Sequence, residues 1–166
     1  MVTTADVRRL REETGAGVMD AKRALEEAAG DFDRARSLLR ERGIAAASKR
    51  SQRATSQGVV EAYIHGEGRI GALVEVNCET DFVARTDAFR QLARDVAMQV
   101  AAMNPASLLP EDVPEALDGE KEQHALLTQA FIKDASRTIR DLIQDVSAQT
   151  GEHVRISHFA RFELGT

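Results

Sequence analysis

One change of period constrains this chain more than any other feature. Through the first 43 residues apolar side chains recur every three or four positions; beyond residue 58 they recur every two. Val60, Ala62 and Ile64 alternate with Glu61, Tyr63 and His65. Gly66-Glu67-Gly68 then turns the chain, and Ile70, Ala72, Val74 and Val76 alternate again. Successive side chains of a strand point to opposite faces, so this pattern predicts an antiparallel hairpin. Helical spacing returns directly afterwards. Thr80 is a good N-cap residue, and Phe89, Leu92, Ala93, Val96, Val100 and Met103 make a core-facing stripe. Helices packed on a small, mostly antiparallel sheet form an α+β core.

The N-terminal 43 residues read as three short helices. Thr3 caps the first, with Asp6 at its third position, Val7 and Leu10 inward, and Thr14-Gly15-Ala16-Gly17 as its end. Val18, Ala21, Leu25 and Ala28 place apolar groups at helical spacing in the second, and Gly30 stops it. Asp31 caps the third, which carries Phe32, Ala35, Leu38 and Leu39 on one face and stops at Gly43. So small a bundle has a thin core and suits an adaptor better than an enzyme. Residues 44–57 are rich in Ala and Ser and carry Lys49, Arg50 and Arg53. No aromatic residue is interleaved with those charges, so the segment reads as a solvated helical tail or linker rather than an RNA site.

Residues 58–166 form the second domain. All three prolines fall within 104–120, which predicts a loop with a short helical turn. Ala125–Asp134 is ambiguous. Ser136–Thr150 is a helix, with Ile139, Leu142, Ile143 and Val146 on one face and Gly151 as its stop. His153–Leu164 is a closing strand, with Val154, Ile156, Ala160, Phe162 and Leu164 on one parity.

Composition narrows the function. The net charge of −5 argues against a chain whose main business is wrapping nucleic acid. The single cysteine, Cys78, excludes an intrachain disulfide and fits a reducing compartment. The segment MVTTADVRRLREE lacks the apolar run of a signal peptide. The longest uncharged stretch, Val96–Pro110, is too short and too polar to span a bilayer. These features predict a soluble cytoplasmic protein with no membrane contact. His65, His124, His153 and His158 show no metal-binding spacing, and neither glycine-bearing turn has a P-loop lysine and hydroxyl. No carboxylate stands at a spacing that would pair with Asp81 for acid–base work. The expectation is a protein without cofactor or metal, and not an enzyme.

What remains is the junction Asn77-Cys78-Glu79-Thr80-Asp81-Phe82-Val83-Ala84-Arg85. It sets an acid and a large aromatic side by side at a helix start, beyond the end of a strand. The carboxylate suits the helix dipole. The phenylalanine has two readings: a core residue tucked under the strand, which burial statistics alone favour, or a ring held out for a partner.

Leu10 to Leu25 (LREETGAGVMDAKRAL) resembles the N-terminal signature of the elongation factor Ts family, the nucleotide exchange factors of elongation factor Tu. Asn77–Arg85 resembles its second signature, and the tail is also similar, in Phe131-Ile132-Lys133-Asp134 and from Gly151-Glu152 to Phe162-Glu163-Leu164-Gly165. The resemblance spans nearly the whole chain. It implies that residues 1–43 are a ubiquitin-associated-type three-helix domain that docks on the partner's GTPase domain, with Arg11, Met19 and Lys22 on the contact face. It implies that Asp81 and Phe82 intrude near the partner's magnesium and phosphate site to promote GDP release. His65, in Tyr63-Ile64-His65-Gly66, resembles a histidine that long members carry in the second half of a duplicated core. This chain has room for one core copy, so it resembles the short form. A homodimer is then expected, which would also cover the small sheet, with an interface on the order of 2,000 Å² or more. There are departures: Ala21 stands where many relatives have cysteine, Val18 where methionine is frequent, and Gln129-Ala130-Phe131 lacks a common proline. A competing reading is a protein-binding adaptor that uses the three-helix domain on an oligomeric α+β core. The second signature and the tail motif speak against it.

Overall fold

The computed structural model describes residues 2–166. Contacts divide them into two units. One runs to Arg53 and includes Ser147–His153; the other comprises Ala54–Val146 and Val154–Thr166.

In the first unit α1 (Thr4–Thr14), α2 (Val18–Glu27) and α3 (Phe32–Arg50) pack around Val7, Leu10, Ala21, Ala24, Leu25, Ala28 and Ala35. Thr3 caps α1 through a reciprocal box, in which its hydroxyl accepts from the Asp6 amide while the Asp6 carboxylate accepts from the Thr3 amide at 2.9 Å. Gly15, at φ 67°, ends the helix in the left-handed region. The half-buried Phe32 ring is covered by the Arg9 guanidinium, 4.8 Å from its centre. The expected end of α3 at Gly43 is corrected: the helix runs through Gly43 to Arg50. A single glycine costs a helix about 1 kcal/mol relative to alanine, and the Ala-rich stretch after it favours continuation. The helical tail expected after Gly43 is thus present as far as Arg50, whose guanidinium donates to the Ser147 carbonyl at 2.8 Å.

The hydrogen bonds from Thr3, first its hydroxyl and then its amide, hold the Asp6 carboxyl below its ordinary value of 3.8. A carboxyl with a lowered folded-state pKa stabilises the fold above its unfolded value, and loses that contribution as pH falls through the folded one. Acid unfolding of the first unit should therefore draw on Asp6 only below about pH 4. Asp6→Asn should flatten that limb of a helicity titration by circular dichroism; an unchanged acid limb would contradict the assignment.

In the second unit the hairpin forms as expected. β1 (Gln57–His65) pairs antiparallel with β2 (Ile70–Cys78), and β2 with β5 (Arg155–Glu163), giving the sheet order β1-β2-β5. After β2 come α4 (Asp81–Ala84), α5 (Asp87–Met103), a 3₁₀ turn at Pro110–Asp112, α6 (Lys121–His124) and a second 3₁₀ turn. β3 (Ala130–Phe131) and β4 (Asp134–Thr138) form a separate small hairpin before α7 (Ile139–Thr150). The core lies between the sheet and the helices: Ala72, Val74, Val76 and Cys78 of β2 meet Phe89, Leu92, Ala93, Val96 and Val100 of α5, with Leu126, Ile139 and Ile143. Met103, expected in the stripe, is exposed at the last turn of α5.

Three polar devices hold this packing. The fully buried amide of Gln99 donates to the Ala130 carbonyl at 3.0 Å and accepts from the Ile132 amide at 3.0 Å, which ties the β3–β4 hairpin to α5. Arg161 donates to the Ala101 carbonyl at 3.0 Å, satisfying a carbonyl near the end of α5. The helix expected from Ser136 begins instead at Ile139, because Thr138 and Asp141 bond reciprocally around its start. The Thr138 amide donates to Asp141 Oδ2 at 2.8 Å and the Asp141 amide to Thr138 Oγ1 at 3.2 Å.

Gly58 lets β1 approach β2. Its φ is 149°, and a Cβ there would stand 2.1 Å from the Val76 carbonyl oxygen. Gly58→Ala should therefore destabilise the second unit by about 2 kcal/mol or more. A fall in the urea midpoint with an unchanged slope would show it; a midpoint equal to wild type would contradict it.

The strands place their apolar residues unevenly. Val60, Ala62 and Ile64 of β1 are exposed, as is Leu73 of β2, while Val59 and Tyr63 pack on the core. In β5 the register shifts beside Glu75 and Val76, so that Ile156 pairs with Val76 and His158 with Glu75, leaving Ser157 as the extra residue of a bulge. Val154 and Ile156 therefore face the core, whereas Ala160, Phe162 and Leu164, of the same sequence parity, lie exposed. The Ser157 hydroxyl bonds Asn77 Oδ1 at the bulge.

Candidate functional site

The junction after β2 builds a small rigid platform. The Cys78 thiol, buried at the strand end, donates to the Thr80 carbonyl at 3.1 Å. Thr80 caps α4 by accepting from the Val83 amide, and the Thr86 hydroxyl donates to the Val83 carbonyl at 2.8 Å. Val83 packs on the core and Ala84 is buried. With two of four residues facing inward, α4 turns Phe82 the other way. The ring is 78% exposed, the most exposed large apolar side chain in the described residues. The core-residue reading of Phe82 is thereby excluded. Beside it, the Asp81 carboxylate pairs with Arg85 Nη2 at 2.9 Å.

The other candidates fall elsewhere. His65 closes β1 at the turn and is exposed. Its ring stacks on Tyr63 with centroids 6.0 Å apart, and the Tyr63 hydroxyl lies 3.3 Å from its Nδ1. His65 pairs with Ile70, the first residue of β2, whereas Asp81 and Phe82 follow Cys78, the last. A nine-residue strand of about 3.4 Å per residue separates them, roughly 27 Å. One chain does not bring His65 to Phe82.

In the first unit Arg11, Met19 and Lys22 are all exposed, with Lys22 3.7 Å from Glu26. Met19 and Lys22 are three apart on α2 and share a face. Val18 is exposed beside Met19, so the start of α2 presents two adjacent apolar side chains that the helical-spacing argument assigned partly to the core. Among the described residues no three His, Cys, Asp or Glu side chains converge as metal ligands, and no helix is long and apolar enough to cross a membrane.

The small sheet is expected to need cover, but the residues of its outer face are not singled out by the sequence. Ile64, Leu73, Phe162 and Leu164 line a shallow concavity of about 510 Å³ over Gly71, and Phe162 is 71% exposed. The available signal was a glycine inside an otherwise apolar strand, where a missing side chain leaves a hollow.

Comparison with known proteins bears directly on this arrangement. Residues 41–123 match the family model described as Elongation factor TS. A protein of Carboxydothermus hydrogenoformans named Elongation factor Ts is 47% identical over 99% of this chain and 90% of its own length. Those of Rubrobacter xylanophilus and Thermotoga neapolitana, with the same name, are 47% and 45% identical over 95% and 96% of this chain, and over 96% and 95% of their own lengths. This chain belongs to the elongation factor Ts family. The first alignment spans 195 positions against a chain of 166, so that relative carries residues this chain lacks. Membership covers the platform of α4, which lies wholly inside the matched segment.

Proposed function

We propose that the protein is a guanine-nucleotide exchange factor that promotes GDP release from elongation factor Tu during translation in the cytoplasm. The observation that carries this reading is Phe82, an exposed ring on a turn anchored by Cys78, Thr80 and Thr86, in a chain of this family. Exposing a ring of that size costs solvation free energy, and a fixed, exposed aromatic is the usual anchor of a protein interface. In a P-loop GTPase the magnesium ion bridges the nucleotide phosphates and is held by a hydroxyl and an acidic side chain. A ring wedged between the elements that support that site favours a state that binds nucleotide poorly. The coupling is reciprocal, so nucleotide rebinding expels the factor by the same free energy. No bond is made or broken, and no catalytic residue is needed.

Residues 1–43 act as the ubiquitin-associated-type docking domain, with Arg11, Met19 and Lys22 on the contact face. The functional unit is a homodimer closed over the outer sheet face. Two features support this: the apolar side chains around Gly71, and the strand length between His65 and Phe82, which keeps one chain from bringing the two to the same point of a partner, whereas two chains can. A heterologous occupant of that face would give a single-chain mass for the free protein.

The reading is tested by association with nucleotide-free elongation factor Tu in size-exclusion chromatography. A stable complex that dissociates when GDP is added supports it. A complex indifferent to GDP would indicate an adaptor, and no complex would refute the assignment of partner.

A further inference from the structure

We infer that Arg85 is a positioning residue that holds the Asp81 carboxylate in its docking orientation beside the Phe82 ring. The inference rests on the docking reading of that turn and adds a residue to it.

The backbone of the platform is held by groups already described: the Thr80 cap, Cys78 below it and Thr86 beyond it. The carboxylate of Asp81 has no such support. At the first turn of a four-residue helix it projects into solvent, and Arg85 is the one side chain among the described residues that it pairs with. Arg85 is tied to the same turn, because its amide donates to the Phe82 carbonyl at 3.3 Å. The spacing of four brings the two side chains onto one face of a helical turn. The contact, 2.9 Å from Nη2 to Oδ2, joins groups whose side chains are 72% and 47% exposed. A pair so exposed adds little to stability. What it does is restrict the Asp81 rotamer, so that less side-chain freedom is lost when the carboxylate meets a partner. The planar guanidinium also directs the pair in a way a point charge does not.

The test is the rate of labelled GDP release from elongation factor Tu, promoted by full-length variants, with thermal midpoints measured alongside. Arg85→Ala should lower exchange efficiency about three- to five-fold at unchanged midpoint, the size expected for an oriented exposed pair. Arg85→Lys should recover part of the loss. The deciding readout is the double-mutant cycle: in an Asp81→Asn background, Arg85→Ala should cause no further loss. Equal losses in both backgrounds would show that Arg85 touches the partner directly and would overturn the inference, as would an Arg85→Ala protein of full activity. Phe82→Ala measured in the same series separates the two levels of the argument. If it too keeps full activity, the docking reading fails and the role of Arg85 falls with it.

Discussion

Phe82→Ala is expected to slow nucleotide exchange by about 30-fold or more while leaving the melting midpoint where it is. The rate effect follows from the size of interface anchors: truncating a central aromatic commonly costs 2 kcal/mol or more of binding, and 1.4 kcal/mol is a factor of about ten. The absence of a stability effect follows from geometry. A ring that is 78% exposed has few contacts to lose, whereas Phe89, seven residues on, is fully buried. Phe89→Ala should cost about 3–5 kcal/mol through its cavity and lost transfer free energy. The two substitutions thus form a matched pair, the same chemistry with opposite readouts. A melting midpoint that collapses in Phe82→Ala would show that the ring is packed in solution, and the docking reading would lose its main support.

On the proposed homodimer, Phe162→Glu should leave a single chain. Phe162 stands beside the Gly71 hollow on the outer sheet face, with Leu73 and Leu164 nearby. A carboxylate there would be buried in the interface without a partner, a cost of several kcal/mol that translates to at least about a 100-fold weaker self-association. The side chain is exposed in the single chain, so folding should be nearly unaffected. Light scattering at micromolar concentration should move from twice 18.2 kDa to 18.2 kDa. Exchange should fall with it, because His65 then has no second chain from which to reach the same partner. A wild-type protein that already scatters as one chain at full exchange activity would defeat the dimer and reduce His65 to a turn residue.

The sequence made the local elements legible where one residue settles a local choice. Thr3 with Asp6, Thr80 and Gly15 each announce a helix end through side-chain chemistry or a positive φ, and each holds in the structure. The hairpin was readable because two alternating runs flank a glycine-bearing turn. What was not legible depends on balances between neighbours. Gly43 is a weak stop, overridden by the alanines that follow it. Thr138 outcompetes Ser136 as the start of α7 because Asp141 answers it from the third position. The bulge at Ser157 has no period signature at all, since one extra residue reverses which face a parity occupies. That bulge is why Phe162 and Leu164 face outward while Ile156 faces in. The candidate site was half legible: the motif marked Asp81 and Phe82, but only the inward turn of Val83 and Ala84 explains how the ring comes to stand free.

The most direct test of the account is the release of fluorescently labelled GDP from elongation factor Tu, followed in excess unlabelled GDP with this protein added below stoichiometry. The account predicts that a small amount of protein accelerates release of the whole labelled population, because each factor is expelled by rebinding nucleotide and acts again. Release that proceeds at the intrinsic rate, whatever the amount of protein added, would contradict it.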